Sequence, residues 1–188
     1  MINHEHKFLF IHVPRTGGSS IEDQFNYNEA REKNKHWTLY DWQNHLDQEV
    51  FNDYFKFTFI RNPWDIVISN YTSLWYNNEK HGGAIGKRSG RSLEYFLKHF
   101  TPPPFQHGDS LFDFFDPEEI DFIGKFENRK QDLNFISNKI GCDLSSDIHI
   151  RKNAKQKHYS EYYNSETRQL VAERYAQDIE RFGYTFGE

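Results

Sequence analysis

Residues Arg15, Thr16, Gly17, Gly18, Ser19 and Ser20 put one guanidinium, two glycines and three hydroxyls into six consecutive positions. After Pro14, they follow the largely apolar run Phe8–Val13, "FLFIHV". A strand that empties into such a turn and continues as a helix can cradle an oxyanion. The glycines allow close backbone approach, the helix start offers unpaired N–H groups, and the arginine binds oxygens in pairs. The same residues can equally form a strand-to-helix turn with no ligand. The cation precedes the glycines and no lysine follows them, so the turn matches neither the nucleoside-triphosphate loop G-x-x-x-x-G-K-[ST] nor the dinucleotide pattern G-x-G-x-x-G.

A second constellation lies in "FTFIRNPWDIVISNY", residues Phe57–Tyr71. Arg61 ends an alternating strand, and Ser69 stands eight positions later in a segment with helical spacing. An arginine at a strand end and a hydroxyl two turns into the next helix can converge on a second phosphate. Alternatively, Arg61 pairs with Asp65 and Ser69 is a small packing residue. Metal ligation is not expected: His4, His6 and His12 follow no ligand spacing, there is no H-E-x-x-H, and Cys142 is the only cysteine. His4 and His6 are expected in a frayed terminus.

The elements that must position these groups read as α/β. Strands are expected over Lys7–Val13, in "YFKFTFIRN" and in "EEIDFIGKF". Helices are expected from "SSIEDQF", capped by a serine, in "WDIVISNYTSLWY", "RSLEYFLKHF" and "NRKQDLNFISNKI", and as one long final helix over "SETRQLVAERYAQDIERF". Gly141 and Gly183 are the natural stops of the last two. Leu170, Val171, Tyr175, Ile179 and Phe182 give the final helix an apolar face. Strands alternating with helices predict a mostly parallel sheet. A chain of 188 residues fits a single domain, 1–188, with a core rich in its 18 Phe and 11 Tyr inside a polar shell of mean hydropathy −0.91.

The formal net charge of −5 disfavours a general nucleic-acid or polyanion surface, leaving room only for a local basic cleft. The lone cysteine, the absence of a signal-like apolar N-terminus and the lack of a membrane-length apolar run lead to the expectation of a cytoplasmic protein without an integral membrane segment.

Taken together, "PRTGGSS" resembles the 5′-phosphosulfate loop of sulfotransferases, and "RNPWDIVISNY" resembles their 3′-phosphate motif. "IDFIGKFENRKQDL" and "HYSEYYNSETRQLVAERYAQDIERFGYTF" look like the closing segments of the carbohydrate-type, family 2 members. The resemblance runs from about Phe8 to Phe186. It implies a P-loop-NTPase-like central parallel sheet flanked by helices, with 3′-phosphoadenosine 5′-phosphosulfate (PAPS) as sulfuryl donor, 3′,5′-bisphosphoadenosine (PAP) as product and no required metal. On this chain, Arg15, Thr16, Gly17, Gly18, Ser19 and Ser20 would hold the 5′-phosphosulfate, and Arg61 and Ser69 the 3′-phosphate. His36 resembles the histidine base of glycan sulfotransferases, with Glu22, Asp41 and His45 as alternatives and Lys35 as a neighbouring proton donor.

Two positions depart from the family pattern. Arg15 stands where lysine is usual, and a guanidinium stabilises charge but is a poor proton donor. Ile66 stands where an arginine is frequent. Arg151, Lys152, Lys155 and Lys157 sit where relatives close over the nucleotide. The segment at about 77–115, with Lys80, His81, Lys87, Arg88 and Arg91, is expected to face the acceptor, a sugar or another small hydroxylated compound. The rival readings are a kinase-like P-loop protein, which lacks its lysine here, and a nucleotide-binding module without turnover.

Overall fold

The computed structural model describes residues 1–27, 34–72, 92–99, 110–147 and 157–188. The chain divides into two compact units, Met1–Arg61 with Leu111–Arg151 and Asn62–Ser110 with Lys152–Glu188. The variable segment 77–90 and the cations Arg151, Lys152 and Lys155 lie outside the described residues.

The first unit is organised by a four-stranded sheet in the order β1-β2-β3-β4, with β1 Ile2–Asn3, β2 Phe8–Ile11, β3 Phe55–Ile60 and β4 Phe122–Lys125. The last three strands are parallel, with Phe10 opposite Phe57 and Phe59 opposite Gly124. Parallel central strands are covered on both faces, which is why β2 and β3 read as near-continuous apolar runs. Phe8, Phe10, Phe57 and Phe59 belong to one cluster with Met1, Ile21, Leu133, Ile136, Ile140 and Leu144. The intervening Leu9, Ile11 and Ile60 are equally buried. Ring centroids at 5.0 Å (Phe10–Phe57) and 5.5 Å (Phe8–Phe57) show the aromatics packed directly across the strands.

The first residues are not frayed. β1 pairs antiparallel with β2, Met1 is buried, and its nitrogen donates to the Phe10 carbonyl at 2.7 Å. His4 meets the Tyr54 hydroxyl at 2.6 Å, and His6 lies 3.2 Å from the Ile140 carbonyl. The terminus was misread because a two-residue strand carries no periodicity; its pairing depends on Met1 filling a pocket in the core.

Between β2 and β3 run α1 Ser19–Glu22, a 3-10 turn over Asp23–Phe25, α2 Leu39–His45 and α3 Gln48–Asp53. After β4, a 3-10 turn over Phe126–Asn128 leads into α6 Arg129–Ile140. Leu133, Ile136 and Ile140, spaced three and four apart, put one face of α6 against the aromatic side of the sheet. Gly141 ends the helix at φ +67°, as expected.

The second unit contains α4 Pro63–Tyr71, α5 Leu93–His99, a 3-10 turn over Tyr159–Tyr162, α7 Ser165–Arg174 and α8 Ala176–Phe182. Pro63 sits at the start of α4, and the Asn62 side chain caps it by accepting from the Trp64 N–H at 3.1 Å. Asn62 Nδ2 also donates to the Thr185 carbonyl at 3.0 Å. Phe186 receives the edges of Trp64, Tyr159 and Tyr163, so the last residues pack on the start of α4. The expected single final helix is two helices meeting at Tyr175, whose backbone (φ −108°, ψ 27°) leaves the helical region. The break buries Tyr175 and also Asp178, which accepts from Ser110 Oγ at 3.0 Å. Only Val171 and Tyr175 of the expected apolar face are fully buried. Among the described residues, no helix is long and apolar enough to cross a membrane.

Gly124 carries a steric demand: a Cβ there would lie 2.6 Å from the Phe59 ring. Gly124→Ala is expected to cost about 1–3 kcal/mol through overpacking, read as a lower denaturant midpoint at unchanged slope; an unchanged midpoint would disprove the tight fit.

Candidate functional site

The turn after β2 inverts the chain within a few residues. Arg15 adopts φ +67° and Gly17 φ +85°, while Gly18 returns to the right-handed region at φ −62°, ψ −30°. Adjacent left- and right-handed residues turn successive N–H groups towards one concave side, a backbone arrangement that binds anions. Among the described residues, the N–H groups of Thr16, Gly17, Gly18 and Ser19 donate no hydrogen bond. From Ser20 onward the amides are used: Ser20 donates to Gly17, and Ile21 and Glu22 both donate to Gly18.

Three sequence expectations change here. The N-cap of α1 is Gly18, with no side-chain cap, because both serines lie inside the helix. At four residues α1 is too short to supply a large macrodipole, so the loop amides are the main positive feature. Thr16 Oγ1 donates to the Val13 carbonyl at 2.7 Å and is fully buried; its hydroxyl proton braces the turn, and its N–H is the group left to offer.

Two arginines fix the loop from its carbonyls. Arg61 Nη1 donates to the Arg15 carbonyl at 2.9 Å, and its guanidinium lies 4.0 Å from the centre of the Phe126 ring. Arg129 Nη1 donates to the Gly17 carbonyl at 3.3 Å. In a trans peptide the N–H points opposite to the C=O, so these two bonds aim the amides of Thr16 and Gly18 away from the arginines. Arg129 was missed in the sequence. The available signal was its place, a cation just after β4 as Arg61 is a cation just after β3, but nothing local distinguished it from Lys130. Ser69 belongs to the second unit, buried on α4, with its carbonyl accepting from the Thr72 N–H.

Beneath the turn lies a buried polar pair. His12 Nδ1 and Glu22 Oε1 are 2.7 Å apart, both side chains essentially inaccessible, and Lys35 Nζ stands 3.1 Å from Glu22 Oε2. Burial pushes His12 down to about 4, so at neutral pH it is an uncharged imidazole donating Nδ1–H to the carboxylate. Burial alone would raise Glu22, but the His12 hydrogen bond and the neighbouring Lys35 charge outweigh it and hold the carboxyl below its ordinary range. Lys35 also donates to Ser19 Oγ at 3.1 Å, which leaves the serine proton to be donated elsewhere. A Cβ on Gly18 would lie 2.3 Å from the His12 ring, so this glycine is required by the histidine behind the loop and not by its own dihedral angles.

His36 packs its ring 4.7 Å from that of His12, and its Nδ1 lies 3.1 Å from the His12 carbonyl. A carbonyl only accepts, so Nδ1 carries the proton and Nε2 is the basic nitrogen. The other candidate bases are placed differently. The Asp41 carboxylate accepts from both the Thr38 N–H (2.8 Å) and Thr38 Oγ1 (2.7 Å), closing the cap of α2. His45 is exposed, with its ring against Trp37. Glu22 is engaged with His12 and Lys35. Among the described residues no three His, Cys, Asp or Glu side chains are grouped to hold a metal ion.

At the end of β2 the structure thus brings together a turn with four undonated amides and a histidine whose tautomer is set beside it. A model of the Sulfotransferase family matches residues 1–108, and this chain belongs to that family. An uncharacterized protein of Archaeoglobus fulgidus is 29% identical over 108 residues, covering 57% of this chain and 85% of the archaeal one. No solved structure matches.

The His12 burial has a pH signature. Unfolded histidine takes up a proton near ~6.5 and folded His12 only at about 4, so stability is lost as pH falls between these values, by about 3 kcal/mol in all. Thermal unfolding from pH 7 to pH 4 should show this loss, and His12→Gln should flatten it; an equal slope in both proteins would count against a neutral buried histidine.

Proposed function

We propose that this protein transfers the sulfuryl group of PAPS to a hydroxyl of a sugar or other small hydroxylated acceptor. The observation that carries the reading is the run of four undonated amides, Thr16 to Ser19, in a turn set by two arginines within a sulfotransferase-family chain. In this reading residues 1–188 work as one cytoplasmic catalytic domain of P-loop-like type, without a metal.

Arg15 and residues Thr16, Gly17, Gly18, Ser19 and Ser20 bind the 5′-phosphosulfate, and Arg61 and Ser69 bind the 3′-phosphate. His36 Nε2 takes the acceptor proton as the acceptor oxygen attacks sulfur. The bond from sulfur to the bridging oxygen breaks, and the charge left on the departing phosphate is met by N–H donors and Arg15. Lys35, poised on Ser19, is the proton donor on the leaving side. Such transfer depends on positioning and preorganised charge, as in phosphoryl transfer. The His36 tautomer, fixed through the His12 carbonyl, supports the base assignment over Asp41 and His45.

Metal-free titration calorimetry with PAP, ATP and AMP tests the donor. PAP should bind at least about tenfold more tightly than the others, a difference of ~1.4 kcal/mol, and Arg61→Ala should abolish that preference. His36→Ala should keep PAP binding and lower turnover by about 10²–10⁴-fold. A preference for ATP, or no binding of any of the three, would sink the reading.

A further inference from the structure

Arg15 is held in a backbone conformation that its side chain disfavours. At φ +67° it lies in the left-handed region, which crowds the Cβ of any residue but glycine. Arg61, just after β3, meets it there: its Nη1 donates to the Arg15 carbonyl at 2.9 Å across 46 positions of the chain. The guanidinium is itself fixed, being 6% exposed and 4.0 Å from the centre of the Phe126 ring. That ring also backs the loop, since a Cβ on Gly17 would lie 3.1 Å from it. Arg61 and Phe126 thus brace the loop at Arg15 and Gly17.

The bond from Arg61 decides which way one peptide faces. Carbonyl and N–H are opposed across a trans peptide, so an Arg15 carbonyl drawn to Arg61 leaves the undonated Thr16 N–H pointing away from it. Relaxation of Arg15 to an ordinary negative φ would turn the peptide that follows it, and the Thr16 N–H with it. A loop left to itself favours that relaxation, and a charge-assisted hydrogen bond is the stronger kind to oppose it.

We infer that Arg61 is a positioning residue of the 5′-phosphosulfate loop: by holding the Arg15 carbonyl it keeps the Thr16 amide aimed into the anion site, whether or not the ligand carries a 3′-phosphate. This role goes beyond the 3′-phosphate contact proposed above and rests on the sulfotransferase reading for the identity of the anion. It asks nothing of the buried guanidinium except the bond it already makes.

The test pairs calorimetry with thermal unfolding on wild type, Arg61→Ala and Arg61→Lys. The probes are PAP, inorganic sulfate and adenosine 5′-phosphosulfate (APS), which has no 3′-phosphate. APS should bind Arg61→Ala roughly tenfold more weakly, and PAP more weakly still because its 3′-phosphate contact goes as well. Arg61→Lys, whose ammonium can donate to the same carbonyl, should recover APS to within about threefold of wild type. Backbone amide NMR shifts of ligand-free Arg61→Ala should change at Thr16 to Ser19 and stay in place in β1 and over Leu133–Ile140. Wild-type APS affinity in Arg61→Ala, with PAP weakened, confines Arg61 to the 3′-phosphate and overturns the inference while the sulfotransferase reading stands. A loss that Arg61→Lys does not recover, or shifts spread through the core, marks a general structural role and overturns it too. If wild type binds neither PAP nor APS, the sulfotransferase reading falls. Sulfate then decides, as it does if wild type binds PAP alone. A sulfate-induced Tm rise lost in Arg61→Ala and regained in Arg61→Lys keeps Arg61 as the positioning residue of the loop, and any other result removes it.

Discussion

The contact between the His12 imidazole and the Cα of Gly18 governs the site. β2 ends with His12 on the buried side of the turn, and there is room above the ring for a hydrogen but not for a methyl. The chain can therefore turn closely over the histidine and enter α1 at once, which brings Glu22 back to His12 Nδ1 at 2.7 Å. Once Glu22 is ionised in that position it holds Lys35 beside Ser19, and the His12 carbonyl holds His36. One steric fit thus sets the places of two cationic or basic side chains and the tautomer of one.

The sheet supplies the rigidity this arrangement needs. Aromatic rings stacked across β2 and β3 are large, have few rotatable bonds and fill space without polar atoms. Strand ends in such a sheet move little, so Arg61 after β3 and Arg129 after the turn that follows β4 approach the loop from fixed points. Gly124 belongs to the same design: its missing side chain makes room for Phe59, the ring that faces Arg129.

Electrostatically the site combines a neutral buried imidazole, an ionised buried carboxylate and the cations Lys35, Arg61 and Arg129. Carbonyls turned towards arginines and amides turned away from them give the loop a positive concave side without spending a helix dipole on it. A local positive field of this kind is compatible with a formal net charge of −5.

Much of this was readable in the residues. The strands of β2, β3 and β4, the helix stops at Gly141 and Gly183, and the tight turn over Arg15 to Gly18 are local properties of composition and period. Tertiary structure decided what each group was for. Thr16 reads as a ligand hydroxyl and is a brace; Gly18 reads as clearance for a ligand and is clearance for His12; Tyr175 reads as one face of a continuous helix and is the point where the chain bends to bury its ring. Arg129 looks like any surface cation at a helix start. The physical reason is the same in each case: a side chain's role is fixed by which distant atoms share its burial. Sequence spacing encodes neighbours along one element, whereas the partners of His12, Gly18 and Arg129 come from other elements of the fold.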